Sequence, residues 1–459
     1  MNTSAPETLA PDLLIAWYGD DFTGAAAVME VLAFAGVPSV LFLDVPTQAQ
    51  LSRFPDLRAI GVASTARAQS PEWMSAHLPA AFDALRAMSP QLLHYKICST
   101  LDSSPETGSI GRAIDIAHDM MAPKAVPLLV AAPQMRRYQM FGHLFAGLGS
   151  QVFRLDRHPV MARHPITPMV ESDVARHISA QSDRIDATTW SLEEMADGTP
   201  PTLSGTIPVF TIDCADEASE ALAGQQLWEN RATQPFVVGS QGVEYALVRH
   251  WIASGDLPEQ APPNGVGRAH GMVSVSGSVS PTTAEQIAWS RANGFATLRF
   301  DVTQAVAGAD ALEREKDRVV RRALAALTEG ADPLIFTAEG PDDPAVAQFR
   351  QAVAASQSDM VDANRLIGIA LGEILHHVLS LGGIRRAVIS GGDTSGYATQ
   401  QLGIFAVSAL APTIPGASLL RAHAEGDMDG LQLALKGGQM GSPDYFGWIR
   451  DGAGARAPD

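Results

Sequence analysis

Two adjacent carboxylates, Asp20 and Asp21, are the strongest candidates for chemistry in this sequence. They stand in residues 17–25, Trp-Tyr-Gly-Asp-Asp-Phe-Thr-Gly-Ala, between the apolar run 13–16 and the apolar segment 26–34. This order predicts a strand, a tight loop and a helix start, which is where open α/β sheets bind ligands. The alternative is a helix cap, because Asp and Thr are favoured N-cap residues. A cap needs only one carboxylate, so the second one favours a functional loop.

A second polar loop, residues 96–105, has the sequence Lys-Ile-Cys-Ser-Thr-Leu-Asp-Ser-Ser-Pro and follows a short apolar run. Lys96 can pair with a carboxylate, and the side chains of Ser99, Thr100 and Asp102 can hydrogen-bond hydroxyl groups. The loop therefore suits a polyhydroxylated acid. The alternative is a polar loop whose Asp and Ser side chains form only local turns.

Basic residues collect in two further segments of a chain that is otherwise acidic. Arg136 and Arg137 could clamp a phosphate or a carboxylate, although exposed arginines are the ordinary case. The segment 154–169 contains several arginines together with His158 and His164, and could wall an anionic site. For His158 we favour the alternative of a solvated loop. The two histidines are six residues apart around prolines, which is not a helical metal-ligand spacing, so no protein metal site is predicted.

Three loops rich in glycine and hydroxyl groups predict a phosphate pocket in the second half of the chain. They occupy residues 276–283, 388–396 and 435–441, and the third adds a lysine. Backbone amides beside glycines and the start of a helix suit an anion. The chain lacks a P-loop and a Gly-x-Gly-x-x-Gly fingerprint. Each loop alone could be ordinary turn chemistry, but three that converge at one sheet edge favour a nucleotide site.

The hydrophobic pattern indicates the scaffold that holds these loops. Short apolar runs alternate with amphipathic stretches up to about residue 240 and again from residue 271, which is typical of βαβ units and mostly parallel sheets. Residues 254–268 are rich in Pro and Gly and predict a linker. We therefore expect an α/β fold of two three-layer domains with mostly parallel sheets and an active-site cleft between them. The predicted limits are a domain at 1–255, a linker at 256–270 and a domain at 271–459.

Composition excludes several classes of function. The chain has 459 residues, 46% of them hydrophobic, and a formal net charge of -18, which argues against a nucleic-acid partner. Cys98 and Cys214 form no metal-ligand or disulfide pattern, which fits a reducing cytoplasm. Residues 1–11 do not look like a signal peptide, and no segment approaches the roughly 18 apolar residues of a membrane helix. We expect a cytoplasmic protein that binds neither membrane nor nucleic acid.

Taken together, five ordered motifs resemble those of the four-carbon acid sugar kinase family, which includes 3-oxo-tetronate and threonate kinases. The resemblance implies a two-domain ATP-dependent kinase whose N-terminal domain holds the sugar acid and whose C-terminal domain binds ATP. The chain departs from the family near Arg136, where many members have Asn-Gly-Arg, and also at Asp393 and after Lys436. The five motifs occupy residues 20–24, 96–105, 164–169, 391–396 and 435–438.

The hypothesis is phosphoryl transfer from ATP to a hydroxyl of a short sugar acid such as threonate, erythronate or 3-oxo-tetronate. One of Asp20 and Asp21 would accept or orient the hydroxyl proton. Mg²⁺ would bridge the phosphates and be held largely by phosphate and water oxygens. The substrate-binding candidates are Thr23, Gly24, Lys96, Ser99, Thr100, Asp102, Arg136 and His164. The nucleotide-binding candidates are Ser276, Ser278, Ser280, Gly391, Gly392, Asp393, Thr394, Ser395, Gly437 and Gly438.

Two other functions stay open at this point. A non-catalytic sugar-acid-binding protein would need the Lys96 loop but no nucleotide pocket. An NAD-dependent oxidoreductase would also be a two-domain α/β protein, but it would carry the dinucleotide fingerprint that is missing here. The sequence is compatible with a homo-oligomer and leaves the substrate's stereochemistry and the phosphorylated carbon undetermined.

Overall fold

The computed structural model of the protein describes residues 13–164 and 166–456, apart from the side chains of residues 393–395. The chain divides into two compact units, with the boundary between Ala261 and Pro262. That boundary falls inside the segment 256–270 that the sequence predicts as a linker.

The first unit is built on a parallel sheet with the strand order β2-β3-β1-β4-β11-β5-β10-β9. A separate antiparallel sheet is formed by β6, β7 and β8. The strands of this unit are β1 (Ile15–Gly19), β2 (Ser39–Phe42), β3 (Ala59–Ala63), β4 (Leu92–Lys96), β5 (Val126–Leu129), β6 (Arg137–Met140), β7 (His143–Leu148), β8 (Gln151–Arg154), β9 (Ile185–Trp190), β10 (Ile207–Ile212) and β11 (Phe236–Gly239).

Helices connect successive strands of the parallel sheet. The helices of the first unit are α1 (Phe22–Phe34), α2 (Gln48–Leu51), α3 (Pro71–Ala87), α4 (Ile110–Met121), α5 (Val174–Ser179), α6 (Leu192–Ala196), α7 (Glu217–Glu229) and α8 (Gly242–Ser254). Short 3₁₀ turns lie at Ala66–Ala68, Pro133–Met135, Leu155–Arg157 and Met161–Arg163.

The predicted strand, loop and helix start around the paired aspartates is confirmed. Every residue of β1 is buried, as expected for a central strand of a parallel sheet. The chain turns tightly after Gly19, where a Cβ atom would lie 2.4 Å from the Cβ of Ala25. Asp21 has extended backbone angles and caps α1 by accepting a hydrogen bond from the Gly24 amide at 3.0 Å. Asp21 therefore performs the capping role, and Asp20 remains to be explained.

The second unit is also built on one sheet, with the order β13-β14-β12-β15-β18-β17-β16. The pairs from β13 to β18 are parallel, and β17 pairs antiparallel with both β18 and β16. Its strands are β12 (Val273–Ser276), β13 (Phe295–Arg299), β14 (Asp332–Phe336), β15 (Arg386–Ser390), β16 (Ile404–Ala411), β17 (Leu419–Ala424) and β18 (Gln432–Lys436). Its helices are α9 (Pro281–Ala292), α10 (Ala309–Thr328), α11 (Pro344–Ser356), α12 (Met360–Gly382), α13 (Gly392–Gln400) and α14 (Tyr445–Asp451), and a 3₁₀ turn lies at Val302–Val306.

A buried apolar cluster joins the sheet of the second unit to α9 and α14. Ile287 of α9 and Phe446 of α14 pack with Leu334, Val388 and Ala434 from three strands. Full burial of the larger of these side chains stabilises a fold by about 1.5–3 kcal/mol each, so the cluster holds the two helices against the sheet. The predicted α/β class with mostly parallel sheets is confirmed in both units.

Helix α12 has the length and composition of a membrane-crossing helix, and among the described residues it alone does so. Half of its apolar window is buried inside the protein, against elements that include α10, β12 and α13. Core helices of globular domains pass the same test. Helix α12 is accordingly weak evidence for a membrane span.

Candidate active site

Asp20 and Asp21 follow β1 and share one guanidinium group, that of Arg67. The Nη2 atom of Arg67 lies 2.6 Å from Oδ1 of Asp20 and 2.6 Å from Oδ1 of Asp21. The Nε atom of Arg67 also donates to Oδ2 of Asp20 at 3.2 Å, so both oxygens of Asp20 are engaged. No described residue donates to Oδ2 of Asp21, whose side chain is 28% exposed against 4% for Asp20. The two carboxylates are therefore held differently, and Asp21 has the freer oxygen.

Electrostatics separate the roles of this cluster further. Burial raises the pKa of Asp20, and the charge of Arg67 opposes that shift. Burial alone would lower the pKa of Arg67, but Asp20 and Asp21 raise it well above its ordinary value. Arg67 thus pairs with the buried Asp20 and also holds the neighbouring Asp21.

Sequence reasoning missed Arg67. This residue lies in the 3₁₀ turn after β3, and its backbone amide donates to the carbonyl of Asp20 at 2.9 Å. Because β3 pairs in parallel with β1, the loops that follow these two strands leave the sheet at the same edge. The pairing of β3 with β1 was the signal needed, and a single sequence does not supply it.

Lys96 ends β4, the other neighbour of β1, and is 1% exposed. Its Nζ atom donates to the carbonyl of Ile97 at 2.6 Å. Lys96 also opposes, together with Arg67, the rise that burial causes in the pKa of Asp20. A Cβ atom on Gly24 would lie 2.7 Å from Nζ of Lys96 and 2.4 Å from Oδ1 of Asp21. The structure therefore brings Gly24, Lys96 and Asp21 together, and it places the half-buried Thr23 in the first turn of α1.

The remaining side chains of the Lys96 loop are mostly tied to one another. Thr100 is buried, and its Oγ1 lies 3.1 Å from Sγ of Cys98. Asp102 accepts a hydrogen bond from Thr167 and lies 3.7 Å from Nδ1 of His164. The structure thus joins two predicted substrate residues, Asp102 and His164, through Thr167, which the sequence analysis did not select. Ser99 is half-buried beside Thr100.

The two neighbouring arginines after β5 have different surroundings. Arg136 has a φ of +56°, and its guanidinium donates to the carbonyl of Gly149 and, at 2.9 Å, to that of Gln151. It thereby braces the turn between β7 and β8 rather than joining the Lys96 group. Arg137 starts β6, and its Nη1 donates to backbone carbonyls within the same hairpin region.

In the second unit, the hydroxyl groups predicted to contact a nucleotide gather around Gly438. Ser280 caps α9 and donates to the carbonyl of Gly438 at 2.5 Å, and Thr283 donates to the same carbonyl at 2.8 Å. Ser278 accepts a hydrogen bond from the Ser280 amide, and its Oγ lies 3.0 Å from Oγ1 of Thr283. A Cβ atom on Gly438 would lie 2.2 Å from Oγ of Ser278, so only glycine fits between these loops.

Gly391 and Gly392 lie where β15 meets α13. Gly391 has a φ of +124°, a region that favours glycine, and a Cβ atom on Gly392 would meet only open space. Both residues line a cavity of about 590 Å³ that belongs wholly to the second unit. The cavity is lined by Gly277, Ser278, Val279, Ser280, Pro281, Val302, Thr337, Ala338, Ala345, Val346, Phe349, Asn364, Ile367, Gly391, Gly392, Gly438 and Gln439.

This cavity contains five of the predicted nucleotide residues and adds an apolar wall from α11 and α12 that sequence reasoning missed. Ser276 is buried at the end of β12 and Gly437 contacts Met440, and neither lines the cavity. The side chains of Asp393, Thr394 and Ser395 lie outside the described part of the structure. Polar loops on one side and Phe349 on the other give the cavity the composition of a ligand pocket.

Lys436 is a second buried lysine, at the end of β18 beside these loops. It is 1% exposed, and its Nζ atom donates to the carbonyl of Gly437 at 3.1 Å. Burial lowers its pKa to about 7. No carboxylate of the described residues pairs with this ammonium group, which is therefore suited to an incoming anion.

Comparison with known proteins assigns a domain type to each unit. A family model described as a sugar-binding N-terminal domain matches residues 15–247, and one described as a nucleotide-binding C-terminal domain matches residues 273–446. A 3-oxo-isoapionate kinase of Paraburkholderia graminis is 44% identical, covering 96% of this chain and 94% of its own. A 3-oxo-tetronate kinase of Cupriavidus necator is 28% identical, covering 96% of this chain and 97% of its own.

A solved structure from Salmonella typhimurium LT2, which carries a provisional tRNA synthase name, has the same fold. It is 26% identical to this chain, covers 95% of this chain and 98% of its own, and gives a TM-score of 0.74. The similarity therefore extends over both units.

Proposed function

The chain belongs to the four-carbon acid sugar kinase family and is a sugar-acid kinase, and we propose that its substrate is a short 3-oxo sugar acid. The family assignment removes the case for a non-catalytic binding protein and for an NAD-dependent oxidoreductase. The observation that carries the detailed proposal is the cluster of Asp20, Asp21, Arg67 and Lys96 at one sheet edge of the sugar-binding unit. The names of the relatives favour a 3-oxo acid over threonate or erythronate.

In this proposal Asp21 accepts the proton of the substrate hydroxyl as that oxygen attacks the phosphoryl group. Its Oδ2 atom lacks a donor among the described residues, and its side chain is the more exposed of the two carboxylates. Asp20 instead holds Arg67 through both oxygens and fixes the cluster. A positioned general base contributes about 10²–10⁴-fold to a rate.

The cavity of the second unit is proposed to hold ATP. Its glycine amides and the N-terminal end of α13 suit phosphates, while Phe349 and Ile367 suit the apolar faces of a base. Bound ATP supplies the phosphoryl group, and we propose that Mg²⁺ accompanies it on the phosphate oxygens. Ser278, Ser280, Gly391, Gly392 and Gly438 contact the nucleotide in this proposal.

The test is an ADP-release assay with ATP and Mg²⁺ against 3-oxo-tetronate, 3-oxo-isoapionate, threonate and erythronate, with mass spectrometry of the product. We expect ADP release and a phosphorylated product with at least one 3-oxo acid, and loss of both when Mg²⁺ is chelated. If all four acids leave ADP release at the level seen without acid, the proposed substrate class is wrong. The cytoplasmic location and any homo-oligomer remain predictions.

A further inference from the structure

Arg137 is a guanidinium group that no carboxylate of the described chain neutralises. Its Nη1 atom donates to the carbonyls of Met135, Arg136 and Gly147, at 3.1 Å, 3.2 Å and 3.4 Å. Its Nε atom is fully buried and has no hydrogen-bond partner. Burial lowers the pKa of Arg137, which is the mark of a charge that lacks compensation. A partly buried cation of this kind is costly in the free protein unless an anion joins it.

The other cations near this sheet edge have partners. Arg67 is paired with both Asp20 and Asp21, and Arg136 is fixed to the carbonyls of the turn between β7 and β8. Lys96 donates to a backbone carbonyl and interacts electrostatically with the carboxylate of Asp20. Arg137 also bonds backbone carbonyls, but it differs in that its buried Nε atom has no partner.

The position of Arg137 places it at the same sheet edge as the aspartate cluster. Its backbone pairs with Ala132, three residues beyond the end of β5, and β5 is joined to β4 through β11. Because β4, β11 and β5 are parallel neighbours, the loops that follow β4 and β5 leave the sheet at the same end of their strands.

His158 supplies a second unused donor near Arg137. Its Nδ1 accepts from the amides of Val160 and Met161, both at 3.3 Å, so Nε2 carries the proton in the neutral ring. Nε2 is buried without a partner, and burial followed by the charge of Arg137 lowers the pKa of His158. The solvated loop predicted for His158 is wrong, because the structure buries this residue.

We propose that the carboxylate of the sugar acid pairs with the edge of Arg137 formed by Nε and Nη2, with Nε2 of His158 as a neighbouring donor. Nη1 is already committed to carbonyls, and the Nε and Nη2 edge is the fork that binds a carboxylate through two parallel hydrogen bonds. The inference rests on the proposed function for the identity of the ligand. Of the two neighbouring arginines that the sequence offers as a carboxylate clamp, it selects Arg137.

The test compares binding of 3-oxo-tetronate with binding of erythrulose, in which a hydroxymethyl group replaces the carboxylate. Calorimetry is run without nucleotide on the wild type, Arg137→Met, Arg137→Lys and the control Arg176→Gln, an exposed arginine on α5. Loss of one partner of a desolvated charge pair weakens binding on the order of 30-fold or more. We expect the wild type to prefer the acid by that factor, Arg137→Met to lose the preference, Arg137→Lys to keep part of it and Arg176→Gln to keep it all.

Thermal unfolding separates a binding role from a structural one. Because Arg137 is uncompensated in the free protein, Arg137→Met should melt within a few degrees of the wild type but gain no stability from the acid. If Arg137→Met does not fold, Arg137→Lys carries the comparison alone, and an undiminished acid preference in it overturns the inference.

The outcomes also distinguish this inference from the proposed function. A wild type that prefers the acid but releases no ADP with it, combined with loss of that preference in Arg137→Met, refutes the proposed substrate of the kinase and supports the role of Arg137. A wild type that releases ADP while folded Arg137→Met retains the full acid preference refutes the role of Arg137 alone. Equal binding of the acid and erythrulose by the wild type also overturns the inference.

Discussion

In both units the candidate ligand-binding groups lie at the carboxyl ends of the parallel strands, called here the edge of the sheet, but the groups at the two edges differ in chemistry. The edge of the first unit carries charged side chains, with Asp20, Asp21, Arg67 and Lys96 held against one another. The edge of the second unit offers backbone and hydroxyl groups around Gly391 and Gly438, with an apolar wall opposite.

The difference teaches how each edge can select its ligand. Charged side chains fixed by ion pairs favour one arrangement of hydroxyl and carboxylate groups, because a misplaced group leaves a buried charge unpaired. Backbone amides and small hydroxyls form a less specific anion site that suits phosphates. The first edge should therefore set the choice of acid, and the second should set nucleotide binding.

The largest effect is expected from Asp21→Asn. Loss of the proton acceptor should lower kcat by about 10²–10⁴-fold with little change in the KM for the acid. Steady-state kinetics with the best 3-oxo acid measure both parameters.

Asp20→Asn is the matched variant, because Asp20 engages Arg67 through both carboxylate oxygens. It should lower the free energy of unfolding by about 3 kcal/mol, since it removes one partner of a buried ion pair. If Asp20→Asn lost as much kcat as Asp21→Asn while remaining stably folded, the assignment of the two carboxylates would have to be reversed.

Two glycine substitutions test the comparison between the edges more directly. In Gly24→Ala the new Cβ would lie 2.7 Å from Nζ of Lys96, and in Gly438→Ala it would lie 2.2 Å from Oγ of Ser278. Displacements of about 1 Å at reacting or binding groups cost on the order of 10²-fold. We expect Gly24→Ala to lower kcat or raise the KM for the acid, and Gly438→Ala to raise the KM for ATP.

Gly426→Ala is the control for both variants, because this exposed glycine after β17 has no positive φ and has open space where a Cβ would lie. It should leave both KM values unchanged. If Gly24→Ala raised the KM for ATP while Gly438→Ala did not, the assignment of the acid to the first unit and of ATP to the second would be contradicted.

The second edge could be predicted from the sequence better than the first. Glycine and hydroxyl loops are local features, and five of the ten predicted nucleotide residues line the cavity. The loop at Asp20 was likewise predicted, because hydrophobic runs on both sides fix a strand and a helix. Arg67 was missed because its place depends on the pairing of β3 with β1, which is a tertiary fact.

The adjacent residues Arg136 and Arg137 have different surroundings, which the sequence did not predict. Arg136 has a left-handed φ and its side chain bonds carbonyls near β8, whereas the Nε atom of the next residue, Arg137, is buried. No spacing rule in the sequence distinguishes two adjacent arginines. The antiparallel strands β6 to β8 and β16 to β17 were also absent from the prediction, since their short strands follow no βαβ pattern.

A smaller effect is expected from the apolar wall of the second edge. Phe349→Ala removes a ring that lines the cavity, and stacking on a base contributes about 1–3 kcal/mol, so the KM for ATP should rise on the order of tenfold. Phe349→Leu keeps the volume and should lie between the wild type and Phe349→Ala. A matching rise in the KM for the acid would show that the wall serves both ligands.

The smallest effect should come from Lys436 and is visible in the pH dependence of stability. Burial lowers the pKa of Lys436 from 10.5 to about 7 in the folded protein. Between these two pH values the unfolded chain holds a proton on Lys436 that the folded protein has released, so the free energy of unfolding rises with pH across this window. Below pH 7 the buried amine is charged in the folded protein, and the destabilisation that this charge causes is at its largest. In Lys436→Met that rise is lost, and the melting temperature of the wild type relative to this variant should increase by about 3 °C from pH 7 to pH 9. Saturating ATP should flatten the rise in the wild type, because phosphate charge beside Lys436 restores its proton. Parallel melting curves for the wild type and Lys436→Met across this range would mean that Lys436 keeps its charge when folded.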